Sequence, residues 1–500
     1  MNPQLNALFS QLQEIAHLTG IGSLLSWDQE TYMPAGAIDA RSEQSALMSK
    51  IVHEKMTSLA LKSTLGQLIN INSGELIATG LTPRESRLVT ETYRDWKMAN
   101  CLPVDFVEAF SKVKAHSQHA WQHARQNKDF SHFLPYLEEV VNLTRKKADY
   151  LGVQSTVYDT LLDEYEPGMT TAEISPVFTR LREATVQLVK DIQTKQSSIK
   201  LPAIQGPFDT QKQWDFGIKI LKDMGYNFEH GRQDKSTHPF TTQFHPTDVR
   251  ITTRLNPDDL FDALSSTIHE GGHALYEQGL DAKWFGTPLC QPISFGIHES
   301  QSRLWENGIG KSKAFWEGYY PYLQTLFHES LRTIPLRDFY QSMLKVSPSL
   351  IRVGADEVTY NLHILIRFEI EKMIFNDGVS VKDLPQIWNQ KYQEYLGITP
   401  PNDAEGILQD VHWSCGYFGY FPTYTLGNLY SVQLLNQAQK EMPHFDQTVQ
   451  EGKLSVITEW LRNKVHSVGR GKTASQLMRE ITGQGISEEP FVRYLEGRYL

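Results

Sequence analysis

Residues 256–279 read NPDDLFDALSSTIHEGGHALYEQG, and this stretch decides the fold. Asn256 is a favoured N-cap, Pro257 suits the first helical position, and Asp258 and Asp259 place carboxylates in the first turn. Leu260, Phe261, Leu264, Ile268, Leu275 and Tyr276 then recur at helical spacing, and Gly279 offers a C-terminal stop. The stretch reads as an amphipathic helix. Inside it stands His269-Glu-Gly-Gly-His273. Its histidines, at i and i+4, project from one face near enough to share a cation, and Glu270 sits beside them to take a proton from water. Gly271 and Gly272 each cost about 1 kcal/mol relative to alanine in a helix interior. Such a cost marks a place where another backbone or a ligand approaches closely.

The helical period extends through most of the chain. Thr170-Thr-Ala-Glu173 is a capping-box pattern followed by Ile174, Val177, Phe178, Leu181, Leu188 and Ile192. Similar patterns mark 3–20, 105–127, 134–152, 313–333, 357–376, 427–441 and 451–467, between short Pro- or Gly-bearing turns. The exception is 237–255, THPFTTQFHPTDVRITTRL, rich in Thr, Phe, Val and Ile and read as a short hairpin. On its second strand Asp248, Arg250 and Thr252 face one side, and Val249 and Ile251 the other. The fold class is therefore mainly α, a large two-lobed helical fold around a deep groove, with a small hairpin near the metal motif. Residues 193–215 are the most linker-like stretch but a weak boundary, so the chain is read as one domain over 1–500.

Composition narrows the function. The 500 residues carry 48 Lys plus Arg against 58 Asp plus Glu, a formal charge of −10, and no basic stripe of the kind nucleic acid requires. Three cysteines, Cys101, Cys290 and Cys415, without a C-x-x-C pair, support neither a disulfide framework nor a thiolate metal site and fit a reducing cytoplasm. The first twenty residues lack the features of a signal peptide, and no apolar run approaches the roughly 18 residues that cross a bilayer.

A catalytic zinc normally has three protein ligands and an open position. Glu299, in His298-Glu-Ser-Gln-Ser302, begins another helical stretch and is the candidate third ligand, although an acid at a helix start is also favoured by the macrodipole. Glu306 is the alternative ligand, and Glu277 reads as a surface charge.

With these residues in place, His269-Glu-Gly-Gly-His273 followed by His298-Glu-Ser-Gln-Ser302 resembles the carboxypeptidase Taq family of metallocarboxypeptidases. The resemblance also covers His238-Pro-Phe240, the set Asp248, Arg250 and Thr252, and the set Ile351, Arg352, Ala355 and Asp356. It extends to Gly406, Gln409, Asp410, His412 and Trp413, and to Leu24-Leu-Ser-Trp-Asp-Gln-Glu30 near the N-terminus. It implies one zinc per chain, with cobalt as the alternative ion, peptide substrates shortened one residue at a time from the C-terminus with broad specificity, disfavoured C-terminal proline, and a homodimer.

Binding a free C-terminus calls for arginine, whose planar fork accepts a carboxylate bidentately. Arg250 and Arg352 stand in the family motifs and are the candidates, and His412 and Tyr420 are candidate donors to the oxyanion of the tetrahedral intermediate. His238, Asp248, Asp356, Gln409 and Asp410 read as groups that orient ligands or arginines from behind. Two other functions stay open: a metal-dependent helical oligopeptidase cutting internal bonds, which would not need the arginine pair, and a helical binding protein without catalysis, against which Glu270 and the ligand set stand intact.

Overall fold

The computed structural model describes residues 3–197, 202 and 204–500, so part of the linker-like stretch 193–215 lies outside the described residues. Helices carry most of the described chain, from Pro3–Thr31 to Glu489–Tyr499. Their ends follow local chemistry. Thr170 caps Thr171–Gln196 in a reciprocal capping box with Glu173, and Ile174, Val177, Phe178, Leu181, Leu188 and Ile192 all point into the core. Helices expected at 105–127 and 134–152 form as Val104–Asn127 and Phe130–Leu151. The expected 313–333 segment divides at Phe327. The helix Pro83–Asn100 was not anticipated, although Thr82-Pro-Arg-Glu85 is a capping box with proline at the first helical position.

The motif helix runs over Leu260–Gly279 and is capped by Asp259, not Asn256. The Asp259 carboxylate accepts from Phe261 N at 2.9 Å and Asp262 N at 3.3 Å. Asn256 instead closes a turn onto Asp258 N, and the Pro257 carbonyl accepts from Phe208 N across the fold, so both groups are committed before the helix starts. Gly279 is the last helical residue rather than a left-handed cap; a β-carbon there would lie 2.4 Å from His466 Nδ1.

The expected hairpin forms, with β2 (Thr241–His245) antiparallel to β3 (Asp248–Thr253), and gains an unanticipated parallel partner, β1 (Gln233–Lys235), giving the order β1-β3-β2. Val249 and Ile251 are fully buried and Asp248 and Arg250 partly exposed, as alternation requires. Thr252 departs from it. It is buried, and its hydroxyl accepts from Phe240 N and Ser236 Oγ instead of facing Arg250.

Two apolar clusters hold the helices. The larger runs from Phe106 to Tyr499, and the smaller gathers Leu5, Leu8, Leu65, Leu88 and Trp96 of the N-terminal helices around Leu289. Arg470 joins the two bodies through Glu91 at 2.6 Å and Asp95 at 2.8 Å on Pro83–Asn100. Between that helix and residues 291–298 opens a cavity of about 500 Å³, whose walls include Arg94, Gln243, Phe295 and His298. No helix of the described residues is long and apolar enough to cross a membrane.

Candidate active site

The motif helix lies against the short helix Phe295–Arg303, which carries Glu299. Ser294 caps this second helix, and the fully buried Glu166 accepts from Ser294 Oγ and Gly296 N, both at 3.0 Å, at its positive end. Glycines allow the approach. A β-carbon on Gly272 would lie 2.7 Å from Ser302 Cα, and one on Gly427, in the helix Pro422–Glu441, 2.6 Å from Glu299 Cγ. Gly272→Ala is therefore expected to push the two helices apart, lowering stability by ~1–3 kcal/mol and weakening zinc uptake. Urea unfolding and isothermal titration with zinc check this; wild-type values in both would refute it.

His269, His273 and Glu299 come together, with ligand atoms all within 4.8 Å of one another. The Nε2 atoms of His273 and His269 lie 3.5 and 3.8 Å from Glu299 Oε2. Two donors each about 2.1 Å from a tetrahedral cation stand about 3.4 Å apart, so this donor set fits one divalent ion. Burial, with His298 alongside, pushes the His273 imidazole down to about 3, leaving it neutral at pH 7 as a ligand must be. Burial opposes ionisation of Glu299, but Arg303 and His269 overcome it and hold this carboxyl well below the usual range.

Glu306 stands behind the histidine face. Its Oε2 accepts from His269 Nδ1 at 2.8 Å, which turns Nε2 toward the ligand cluster. His273 Nδ1, by contrast, has no hydrogen-bond partner among the described residues. Glu277 is buried, against the surface role expected for it, because it pairs at 2.9 Å with Nε2 of His298, whose ring stacks on His273. Glu270 is also buried, and its Oε2 accepts from Thr241 Oγ1 at 2.6 Å, which ties it to β2. Burial lifts the Glu270 carboxyl above its ordinary range despite His269 and Thr241.

The arginines differ in what they have left to offer. Arg250 gives Nε and Nη2 to Asp248 at 2.8 and 2.9 Å and lies over the Trp27 and Phe244 rings, leaving its Nη1 end for a second anion. Arg352 is buried. It gives Nε and Nη2 to Asp410 at 3.0 and 2.8 Å and Nη1 to the Tyr360 hydroxyl at 3.1 Å, while Gln409 Oε1 accepts its backbone N–H. Asp410 also pairs with the fully buried Arg367 at 2.6 Å.

A profile of the Carboxypeptidase Taq (M32) metallopeptidase family matches residues 7–499. The chain belongs to this family. It is 38% identical to Carboxypeptidase 1 of Bacillus subtilis, with 98% of this chain and 97% of that one aligned. It is 37% identical to Thermostable carboxypeptidase 1 of Thermus thermophilus, over 97% and 96% of the two chains. The crystal structure of a carboxypeptidase from Deinococcus radiodurans superposes with a TM-score of 0.95 at 38% identity, covering 100% of this chain and 99% of the other.

In this metallocarboxypeptidase His412 and Tyr420 lie side by side, ring centroids 5.5 Å apart, beside Phe421 and Tyr424. Burial brings His412 down to about 4 although Asp410 opposes it, so the ring is neutral at pH 7, and its Nδ1 has no partner among the described residues. Burial and the nearby Glu299 raise the Tyr420 hydroxyl to about 12, keeping it protonated. Asp356 is separate from this cluster. It caps the turn before Tyr360–Phe375, accepting from Ser347 N, Val358 N and Thr359 N. His238 occupies an exposed bend between β1 and β2 rather than a strand. Sequence reasoning missed Thr241, Arg303, Tyr360 and Arg367. Of these, Arg303 was within reach, because it and Glu306 follow Glu299 by four and seven residues on one helix face.

Proposed function

We propose that this metallocarboxypeptidase uses zinc, with cobalt as the alternative, one ion per chain on His269, His273 and Glu299, to release single C-terminal residues with broad specificity and little action on C-terminal proline. The observation that carries the reading is the three-donor cluster with Glu270 beside it, hydrogen-bonded to Thr241. A divalent cation there supplies Lewis acidity and makes water a better nucleophile at neutral pH. Glu270 takes the proton of the attacking water and returns it to the departing amine. Its raised proton affinity and its bond from Thr241 suit both halves of that transfer.

His412 and Tyr420, both neutral at pH 7, are the donors we assign to the developing oxyanion. Arg250 and Arg352 are the receivers we assign to the terminal carboxylate, Arg250 through the guanidinium end that Asp248 leaves open and Arg352 through the Nη hydrogens beyond those given to Asp410 and Tyr360. We assign Asp248, Gln409 and Asp410 to holding those arginines. Among the described residues no hydrogen bond or ion pair joins the side chains of His238 or Asp356 to the three donors or to the two arginines, and we give them no catalytic part. One domain, a homodimer and cytoplasmic residence complete the proposal. The dimer rests on the family resemblance, and cytoplasmic residence is supported by the three cysteines all being free.

Mass spectrometry of a mixed-sequence peptide after incubation tests the reading. The expected product is a ladder shortened from the C-terminus, abolished by a chelator; internal fragments would indicate the oligopeptidase, and an intact peptide after zinc or cobalt addition a binding protein. Carboxylate recognition predicts a further result. C-terminally amidated peptides are poor substrates for the wild type, and Arg250→Ala raises KM for free C-termini with kcat less affected. Equal cleavage of amidated and free peptides would refute carboxylate recognition.

A further inference from the structure

Glu299 does not meet the two histidines with both of its oxygens. Oε2 faces His269 and His273, whereas Oε1 accepts from Arg303 Nε at 2.6 Å. Arg303 reaches on with Nη1 to Glu306 Oε2 at 3.1 Å, the same oxygen that receives His269 Nδ1 at 2.8 Å, and Ser265 Oγ donates to Glu306 Oε1 at 3.0 Å. The Arg303 guanidinium also lies over the Tyr360 ring, 4.8 Å from its centroid. Glu299, Arg303, Glu306 and His269 thus form a chain of charge-assisted hydrogen bonds, whose two ends, Glu299 Oε2 and His269 Nε2, stand 3.8 Å apart across the donor cluster. All four side chains are no more than 20% exposed, so water competes little for these donors. Directly after Arg303 the helix widens into a π-helical turn, Leu304–Ile309, which carries Glu306; such turns recur at functional sites.

We propose that Arg303 is a positioning residue that restricts Glu299 to one-oxygen ligation. This rests on the metallopeptidase reading of the site. With Oε1 held by the guanidinium, the carboxylate offers the cation Oε2 alone, and the remaining coordination positions stay open for water and the substrate carbonyl. Through Glu306 the same guanidinium also steadies the imidazole of His269. Without this fork Glu299 would keep only the Ser302 hydroxyl, 3.2 Å from Oε2, and could turn to present both oxygens to a bound ion, which would fill a position that catalysis needs and weaken the ion as a Lewis acid. Lysine keeps the charge that balances two buried carboxylates but cannot span both with a planar fork. Arg303→Lys therefore separates positioning from simple neutralisation.

The test uses the full-length protein loaded with cobalt(II). In Arg303→Lys the visible absorption of the ion is expected to weaken several-fold, as coordination number rises above that of the wild type. We expect kcat to fall 10- to 100-fold, the range seen when groups behind metal ligands are replaced, with KM little changed. A cobalt spectrum and kcat equal to wild type would overturn the proposal and leave Arg303 a counter-charge. If the variant does not fold, X-ray absorption at the zinc edge and a crystal structure of the zinc-loaded wild type decide instead. Glu299 bound through Oε2 alone, with Oε1 on Arg303, supports the proposal, and two-oxygen ligation overturns it. Wild-type protein that takes up no zinc or cobalt by elemental analysis would overturn the metal reading itself, an outcome distinct from two-oxygen ligation in a loaded site.

Discussion

Replacing Glu270 by glutamine is expected to lower kcat by ~10²–10⁴-fold, the range for loss of a general acid–base group, while the content of divalent metal stays at the wild-type level. Glutamine matches glutamate in size and still accepts the Thr241 hydroxyl through its carbonyl oxygen, so the packing of β2 on the motif helix is kept. What it cannot do is take a proton from water. The candidate ligands His269 and His273 direct their Nε2 atoms at Glu299, 3.8 and 3.5 Å from its Oε2, and Glu270 is not one of the three donors. Steady-state hydrolysis of a free-carboxylate dipeptide derivative, with metal content measured in parallel, checks this. Turnover near that of wild type would remove Glu270 from its assigned role.

Asp410→Asn is expected to have the largest effect on stability. The Asp410 carboxylate is shared by Arg352 at 2.8 Å and the wholly buried Arg367 at 2.6 Å, which itself lies over the Trp388 ring. Burial opposes its ionisation, yet the two guanidinium groups hold the carboxyl well below the usual aspartate range. Neutralising it leaves two buried cations uncompensated, and breaking a buried pair in this way costs ~3–5 kcal/mol. Because the folded-state pKa is depressed, the stabilisation is complete above the unfolded value of about 3.9 and is lost as pH falls through the folded value. Urea midpoints measured from pH 7 to pH 2 should therefore show a gap between wild type and variant that is widest near neutrality and narrows below pH 4. The variant should also show a raised KM for free C-termini, since Arg352 loses the partner that orients it. An unchanged midpoint at pH 7 would refute this account.

The structure also explains why some local readings were displaced. Asn256 and Asp259 are both competent caps, and the helix starts at the later one because the Pro257 carbonyl is engaged by Phe208 from a segment fifty residues earlier. Glu277 follows His273 by one helical turn, and nothing local distinguishes it from a solvated acid; it is buried because His298, on another helix, reaches it. Thr252 shares its strand face with Arg250 by parity, but the connection between β1 and β2 brings Ser236 Oγ and Phe240 N onto its hydroxyl.

By itself the sequence determined the helical class, the hairpin, the paired histidines with Glu270, and the family. These depend on spacing within one element or on motifs read in order, and 3.6- and 2-residue periods place side chains on a common face whatever the rest of the chain does. Only the tertiary structure decided which oxygen of Glu299 faces the histidines, that Glu306 supports His269, and that Thr241 holds Glu270. It also decided that Asp410 is divided between two arginines. Each of these is a contact between elements distant in sequence, and for Glu299 the close approach passes at Gly272 and Gly427; a hydrogen bond a few ångströms long records such an approach where no local pattern can.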